Sequence, residues 1–144
     1  VPVGAFLMKE KIAGNSLSAG DHGTTYGGNP FAAAAICKVF ELYEKYDILN
    51  HVNEVAPYFA EKLDETASKY DCILERRGSG LMQGLVFDRP VGSIINEAMS
   101  EGLMVINAGA NILRFVPPLI ITRENIDEMA DIIDRSISKV CCTK

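Results

Sequence analysis

The sequence Ser18-Ala-Gly-Asp-His-Gly-Thr-Thr-Tyr-Gly-Gly-Asn-Pro30 decides how the rest of the chain is interpreted. Two adjacent hydroxyl residues, Thr24 and Thr25, stand among glycines, just before a predicted helix with Asn29 as N-cap and Pro30 as first residue. Glycine permits tight turns and a close approach of the backbone to a ligand. Free N–H groups, hydroxyls and a helix start attract an anion. The stretch predicts a phosphate-binding loop, although a glycine-rich turn before a capped helix has the same composition.

Composition and charge are those of an ordinary globular protein. The 144 residues are 48% hydrophobic and 23% charged, which is enough for one domain with a core. The net charge of −5, without a basic stripe, argues against nucleic acid, and no apolar run reaches the ~18 residues of a membrane span. Cys37, Cys72, Cys141 and Cys142 show no C-x-x-C spacing. We therefore expect no disulfide framework and no metal site, and a cytoplasmic location with reduced thiols.

Hydrophobic periodicity predicts alternating helices and strands. The predicted helices cover residues 29–46, 51–70, 91–101 and 122–140, and the predicted strands cover 72–77, 81–87, 103–106 and 112–116. Pro57 lies inside the second helix, where we expect a kink. This order predicts an α/β fold in which a small sheet packs with helices against one of its faces.

Arg114 is the second candidate site residue. It lies between Leu113 and Phe115 on a predicted strand, and by alternation it shares a face with Ile112 and Val116. An arginine in such a strand is commonly a surface residue of an edge strand or one half of a salt bridge. Its planar guanidinium also suits bidentate binding of a carboxylate. From the residues alone both interpretations stay open.

The two histidines are candidate acid–base groups only because imidazole titrates near neutral pH. His22 lies in the glycine-rich loop, and we expect it to shape the loop by hydrogen bonding. His51 lies near a helix start, and we expect it to be solvated. Neither is assigned a catalytic role.

Three motifs in sequence carry a resemblance to a known family. They are Pro2-Val-Gly-Ala-Phe6, His22-Gly-Thr-Thr-Tyr-Gly-Gly-Asn-Pro30 and Ile112-Leu-Arg-Phe-Val-Pro-Pro-Leu119. With them the chain resembles, from Val1 to about Val140, the class III aminotransferases, which are pyridoxal-phosphate enzymes. Within this family, the chain resembles the acetylornithine and ornithine aminotransferases. The resemblance implies the C-terminal domain of the aspartate aminotransferase-like fold, with residues 1–28 a remnant of the large cofactor-binding domain and 29–144 the small domain with its connecting helix.

The resemblance also implies roles for single residues. Thr25 matches the residue that contacts the phosphate of pyridoxal 5'-phosphate, Thr24 matches one near the substrate, and Arg114 matches the arginine that holds the substrate carboxylate. In this family the loop reaches across a dimer interface, so a homodimer is expected. The lysine that forms the Schiff base lies upstream of the Pro2–Phe6 motif in the family. No catalytic residue is therefore assigned here, and this chain alone is expected to be inactive.

The implied function is amino transfer between N-acetylornithine and 2-oxoglutarate in arginine biosynthesis, carried out by a full-length parent enzyme. Ornithine or 4-aminobutyrate aminotransferase remain alternatives, because the residues that choose the amine donor lie mostly upstream in this family. Two other classes also stay open: a stand-alone anion- or nucleotide-binding module, and a non-catalytic oligomerisation domain. Only the second of these needs a large apolar face and no bound anion.

Overall fold

The computed structural model describes residues 2–18 and 20–141, and it divides the chain into two compact units, Val1–Asp47 and Ile48–Lys144. Two residues singled out in the sequence, Ala19 of the glycine-rich loop and Cys142, lie outside the described residues. Among the described helices, none combines the length and the apolar character that crossing a membrane requires.

The first unit contains two helices, α1 (Glu10–Ser16) and α2 (Pro30–Lys45). Helix α2 begins where the sequence predicts, because the Asn29 side-chain oxygen accepts a hydrogen bond from the Ala32 backbone N–H at 2.9 Å. None of the α2 residues is buried, and Phe31 and Phe40 are 75% and 62% exposed. The apolar stripe of this helix therefore forms no core within the described residues.

The second unit contains three helices and four strands. They are α3 (Ile48–Ser68), β1 (Ile73–Ser79), β2 (Met82–Phe87), α4 (Gly92–Ser100), β3 (Ile106–Asn107), β4 (Ile112–Phe115) and α5 (Arg123–Cys141). The strands form one sheet in the order β1-β2-β4-β3, and every neighbouring pair is antiparallel. The predicted α/β fold with a small sheet is confirmed.

The core of the second unit lies between the sheet and its helices. On β4 the side chains of Leu113 and Phe115 are buried, and Phe115 packs edge to face against Phe59 of α3 with ring centroids 6.1 Å apart. Further fully buried side chains come from α3, β2, α4 and α5: Leu63, Leu85, Phe87, Ile94, Ile126, Ile133 and Ile137. The alternation predicted for β4 is thus confirmed, and it leaves Arg114 on the opposite face of the sheet.

Two predicted elements differ from the structure. Helix α3 contains Pro57, as predicted, but it starts at Ile48, three residues before the predicted start at His51. Strand β3 covers only Ile106–Asn107, instead of the predicted 103–106. The reason is that the Leu103 backbone N–H is used to end α4, where it donates to the Ala98 carbonyl at 2.9 Å beside Gly102 in the left-handed conformation.

The hairpin between β1 and β2 depends on Gly78, and this generates a test. The φ of Gly78 is +141°, and an added Cβ would lie 2.2 Å from the Met82 carbonyl oxygen. Because that oxygen belongs to the partner strand, the clash is relieved only by separating the strands. We predict that Gly78→Ala lowers the free energy of unfolding by about 2 kcal/mol or more, measured by urea denaturation.

The matched control is Gly80→Ala in the same hairpin. Gly80 also has a positive φ, +57°, but nothing lies within 4 Å of the added Cβ. We therefore expect Gly80→Ala to lower the free energy of unfolding only by the cost of the left-handed backbone conformation, roughly 1 kcal/mol. Equal stability of the two variants would contradict the close approach at Gly78.

Candidate functional site

Arg114 occupies a central strand of the sheet. It pairs in register with Gly84 on β2 and with Ile106 on β3. Directly paired residues project from the same face of a sheet, so Arg114 lies between a residue without a side chain and an isoleucine. Arg114 is half-buried there. It is therefore not the surface residue of an edge strand.

The guanidinium of Arg114 has an unused buried donor. Its Nε atom is buried and has no hydrogen-bond partner among residues 2–18 and 20–141, and Arg114 enters none of the ion pairs in that part of the chain. A buried donor without a partner costs about 1–3 kcal/mol. Arg76 on β1 is the contrast, because it binds both carboxylate oxygens of Asp64 at 2.7 and 2.9 Å. The salt-bridge interpretation of Arg114 is wrong within the described chain.

Arg114 lines a cavity of about 540 Å³. Most of the wall is apolar and comes from four places: α3, the segment after α4, the end of β4 with the chain that follows it, and the first half of α5. These residues are Phe59, Leu103, Met104, Val105, Ile106, Phe115, Val116, Pro117, Pro118, Ile121, Met129 and Ile132. Asn125 and Glu128 add polar groups at the α5 side. An unpaired guanidinium beside apolar walls suits a carboxylate that carries a hydrocarbon chain.

The glycine-rich loop is shaped by backbone and threonine hydrogen bonds. The Thr24 hydroxyl accepts from the Tyr26 N–H at 3.3 Å, and the Thr24 carbonyl accepts from the Gly27 N–H at 3.1 Å. Gly20 and Gly28 have φ values of +99° and +68°, so the turn uses the freedom of glycine at both ends. Thr24 is therefore a turn-forming residue within the first unit.

Thr25 differs from its neighbour. Its side chain is exposed, and no hydrogen bond joins it to any other described residue. Its hydroxyl is thus free to donate to an anion, and the exposed loop ends at the amino terminus of α2, where backbone N–H groups add positive potential. This donor set fits a phosphate group.

Neither histidine behaves as the sequence suggests. The ring of His22 lies edge to face against Phe6, with centroids 5.7 Å apart, and no hydrogen bond of His22 occurs within the described chain. His51 is half-buried, and its Nε2 lies 2.9 Å from the Ile121 carbonyl oxygen. The expectation that His51 is solvated is wrong, since it ties α3 to the segment between β4 and α5. The sequence does not predict this role of His51, because Ile121 lies 70 residues further along the chain.

The candidate residues belong to different units. Thr24 and Thr25 lie in the first unit, and Arg114 lies in the second. Each half of the site is therefore described by itself. In the described ranges no group of three or more His, Cys, Asp or Glu side chains is arranged to hold a metal ion.

The family described as aminotransferase class-III matches residues 1–137, so the chain belongs to the class III aminotransferases. The resemblance carried by the three motifs is confirmed.

The chain is also similar to individual aminotransferases of known name. The chain is 41% identical over 144 residues to an acetylornithine aminotransferase of Bacillus cereus, covering 100% of this chain and 36% of that protein. It is 43% identical over 137 residues to the acetylornithine aminotransferase of Clostridium acetobutylicum, covering 94% of this chain and 35% of that protein. The chain thus spans about a third of the length of these relatives.

A solved structure gives the same result for the fold. Plasmodium falciparum ornithine delta-aminotransferase superimposes with a TM-score of 0.80 at 28% identity, covering 89% of this chain and 33% of that chain. The fold of this chain therefore recurs within a longer aminotransferase.

The unpaired state of Arg114 generates a stability test. If Arg114 is kept for a ligand, replacing it by an apolar side chain of similar length removes an unsatisfied buried donor. We predict that Arg114→Met leaves the melting temperature of the 144-residue protein unchanged or raises it. Differential scanning calorimetry measures it.

Arg76→Met is the matched control on the same sheet. It breaks the two contacts to Asp64 and a third, 3.0 Å long, to Gln83. We expect it to lower the melting temperature by several degrees, since loss of charged hydrogen bonds costs about 1.5–3 kcal/mol. A comparable loss for Arg114→Met would mean that Arg114 is a structural residue.

Proposed function

We propose that this chain is part of an acetylornithine aminotransferase, which moves an amino group between N-acetylornithine and 2-oxoglutarate in arginine biosynthesis. The observation that carries the proposal is the buried, unpaired Nε of Arg114 at an apolar cavity. The proposal is supported further by the named acetylornithine aminotransferases that align over all or nearly all of the chain.

Arg114 is proposed to hold the α-carboxylate of the amino-acid and oxo-acid substrates. A guanidinium stays charged at every relevant pH and offers Nε and Nη donors in one plane, which match the two oxygens of a carboxylate. The neighbouring Gly84 contributes no side chain beside it. Met104, Phe115 and Val116 line the same cavity, and this apolar wall suits the hydrocarbon part of a substrate.

Thr25 is proposed to bind the phosphate of pyridoxal 5'-phosphate, because its hydroxyl is exposed and without a partner among the described residues. When bound, the cofactor supplies the electron sink for amino transfer. Thr24 is proposed to lie near the substrate, where its hydrogen bonds to Tyr26 and Gly27 would keep the loop in one conformation. No residue of this chain is proposed as the catalytic base or nucleophile.

The assembly is proposed to be a cytoplasmic homodimer. Tyr26 in the loop and Phe31 at the start of α2 are 80% and 75% exposed, and a second subunit is a natural cover for them, since two-fold dimers are the commonest assembly. Residues 1–28 are proposed to belong to a large cofactor-binding domain and residues 29–144 to the small domain. Sedimentation of the full-length parent tests the dimer.

An ornithine aminotransferase is the second candidate. It is favoured by the match to the Plasmodium falciparum ornithine delta-aminotransferase over 89% of the chain. The two candidates share the proposed clamp at Arg114 and differ in the amine donor. Comparing kcat/KM for N-acetylornithine and ornithine in the full-length parent separates them.

Arg114→Lys in the full-length parent tests the clamp. We predict that KM for both the amino acid and 2-oxoglutarate rises more than tenfold, because one bidentate charged contact, worth about 1.5–3 kcal/mol, is lost. The affinity for pyridoxal phosphate, followed by its absorbance, stays within a factor of two or so. An unchanged KM with weakened cofactor binding would assign Arg114 to the phosphate instead.

The 144-residue protein itself provides a second test. We predict that it catalyses no amino transfer above the background of free pyridoxal phosphate, since the family's Schiff-base lysine is not among its residues. Glutamate formation from N-acetylornithine and 2-oxoglutarate is the assay. Turnover that disappears when one lysine of this chain is replaced would contradict the prediction.

A further inference from the structure

The segment before β1 runs along the last turns of α5. Lys69 Nζ lies 3.1 Å from Asp134 Oδ1, and the Tyr70 hydroxyl donates to the Asp134 carbonyl oxygen at 2.9 Å. Cys72 follows Tyr70 by two positions, and Cys141 follows Asp134 by seven. Seven residues make about two helical turns, so Asp134 and Cys141 lie on the same face of α5, roughly 10 Å apart along its axis. The chain direction therefore brings Cys72 towards Cys141.

The two thiols meet at the edge of the core. Cys72 and Cys141 are both free thiols, and the Cys141 side chain is close enough to Cys72 to raise the pKa of its thiol, after the larger effect of burial. Cys72 is 7% exposed and belongs to the core, while the half-buried Cys141 packs against that core. The backbone of Cys72 is held in place, because its carbonyl accepts from the Asp88 N–H at 3.0 Å. The positive charge of Arg89 acts on both sulfur atoms.

From this arrangement we infer that Cys72 and Cys141 form a redox pair, which a small disulfide such as oxidised glutathione closes into a disulfide bond. Cys141, the more exposed thiol, loses its proton to solvent and attacks one glutathione sulfur, releasing the first glutathione thiolate. Cys72 then loses its proton and attacks the Cys141 sulfur, releasing the second. Two protein thiols are oxidised and one glutathione disulfide is reduced to two glutathione molecules.

The surroundings of the two thiols determine which of them reacts first with glutathione disulfide. Burial, followed by the contact with Cys141, raises the pKa of the Cys72 thiol to about 11. Cys72 is thus a poor nucleophile towards external reagents, but its contact with Cys141 gives it a high local concentration for the second step. The closed bond would link the start of β1 to the end of α5.

The disulfide would join Cys72 and Cys141, which are far apart in the chain, and it is therefore expected to stabilise the protein. A crosslink between distant residues restricts the unfolded chain more than the folded one. Oxidation is therefore expected to raise the melting temperature by at least 5 °C or so, and dithiothreitol is expected to reverse the shift.

Cys37 and Cys142 serve as internal comparisons. Cys37 is exposed on α2 and is the one cysteine in the sequence of residues 1–47, so it is expected to form a mixed disulfide with glutathione and to stop there. Cys142 is adjacent to Cys141 in sequence and would share its tryptic peptide. The experiment therefore uses the Cys142→Ser protein, in which any link to that peptide must involve Cys141.

The test is peptide mapping of the folded 144-residue Cys142→Ser protein after incubation with oxidised glutathione. Free thiols are alkylated, the protein is digested with trypsin, and the linked peptides are identified by mass spectrometry. We expect a crosslink between the peptides that contain Cys72 and Cys141, together with the rise in melting temperature. Both are expected to disappear in Cys141→Ser, which alters only a half-buried position and so keeps the core intact.

Three results would overturn the inference. In the first, Cys72 remains free for alkylation after unfolding while Cys37 is fully glutathionylated. In the second, the crosslink forms only in urea, where chance encounters replace the folded geometry. In the third, the wild-type protein links Cys72 to Cys142, and the Cys142→Ser protein forms no link. The readouts are mass and melting temperature, so the outcome is independent of the proposed aminotransferase activity.

Discussion

The buried Nε of the half-buried Arg114, which has no hydrogen-bond partner among the described residues, is the constraint on which the second unit depends. Arg114 lies on the central strand β4, and its Nε has no hydrogen-bond acceptor within the described part of the chain. Such a group lowers the stability of the fold, so the surrounding core must compensate for it. The compensation comes from the other face of the same strand, where Leu113 and Phe115 are buried against the helices. The two opposite faces of this four-residue strand therefore differ: one packs in the core, and the other carries the half-buried Arg114.

The rest of the unit holds this strand in position. Gly78 allows β1 and β2 to approach closely at their hairpin, and β2 in turn pairs with β4. Behind β4, the segment with Pro117 and Pro118 leads to α5, and His51 fixes that segment to α3 through the Ile121 carbonyl. The same sequence features that build the sheet therefore also form the cavity beside Arg114.

Local sequence signals predicted much of this structure, and long-range contacts account for what they missed. The start of α2 at Asn29–Pro30 and the alternation along β4 follow from neighbouring residues, and both are confirmed. The short β3 was missed because Leu103 serves the end of α4 instead. The unpaired state of Arg114 depends on Gly84 and Ile106, which meet it only through strand pairing. The roles proposed for Thr24, Thr25 and Arg114 rest on the family motifs, and they stay predictions.

We propose that Arg114 is kept free for the carboxylate of a substrate. A crystal structure of the full-length parent with bound 2-oxoglutarate tests it most directly. We expect both α-carboxylate oxygens to lie about 2.9 Å from the Nε and Nη atoms of Arg114, with Arg76 still paired to Asp64. A structure in which Arg114 instead pairs with a carboxylate of the protein, while 2-oxoglutarate binds elsewhere, would contradict it.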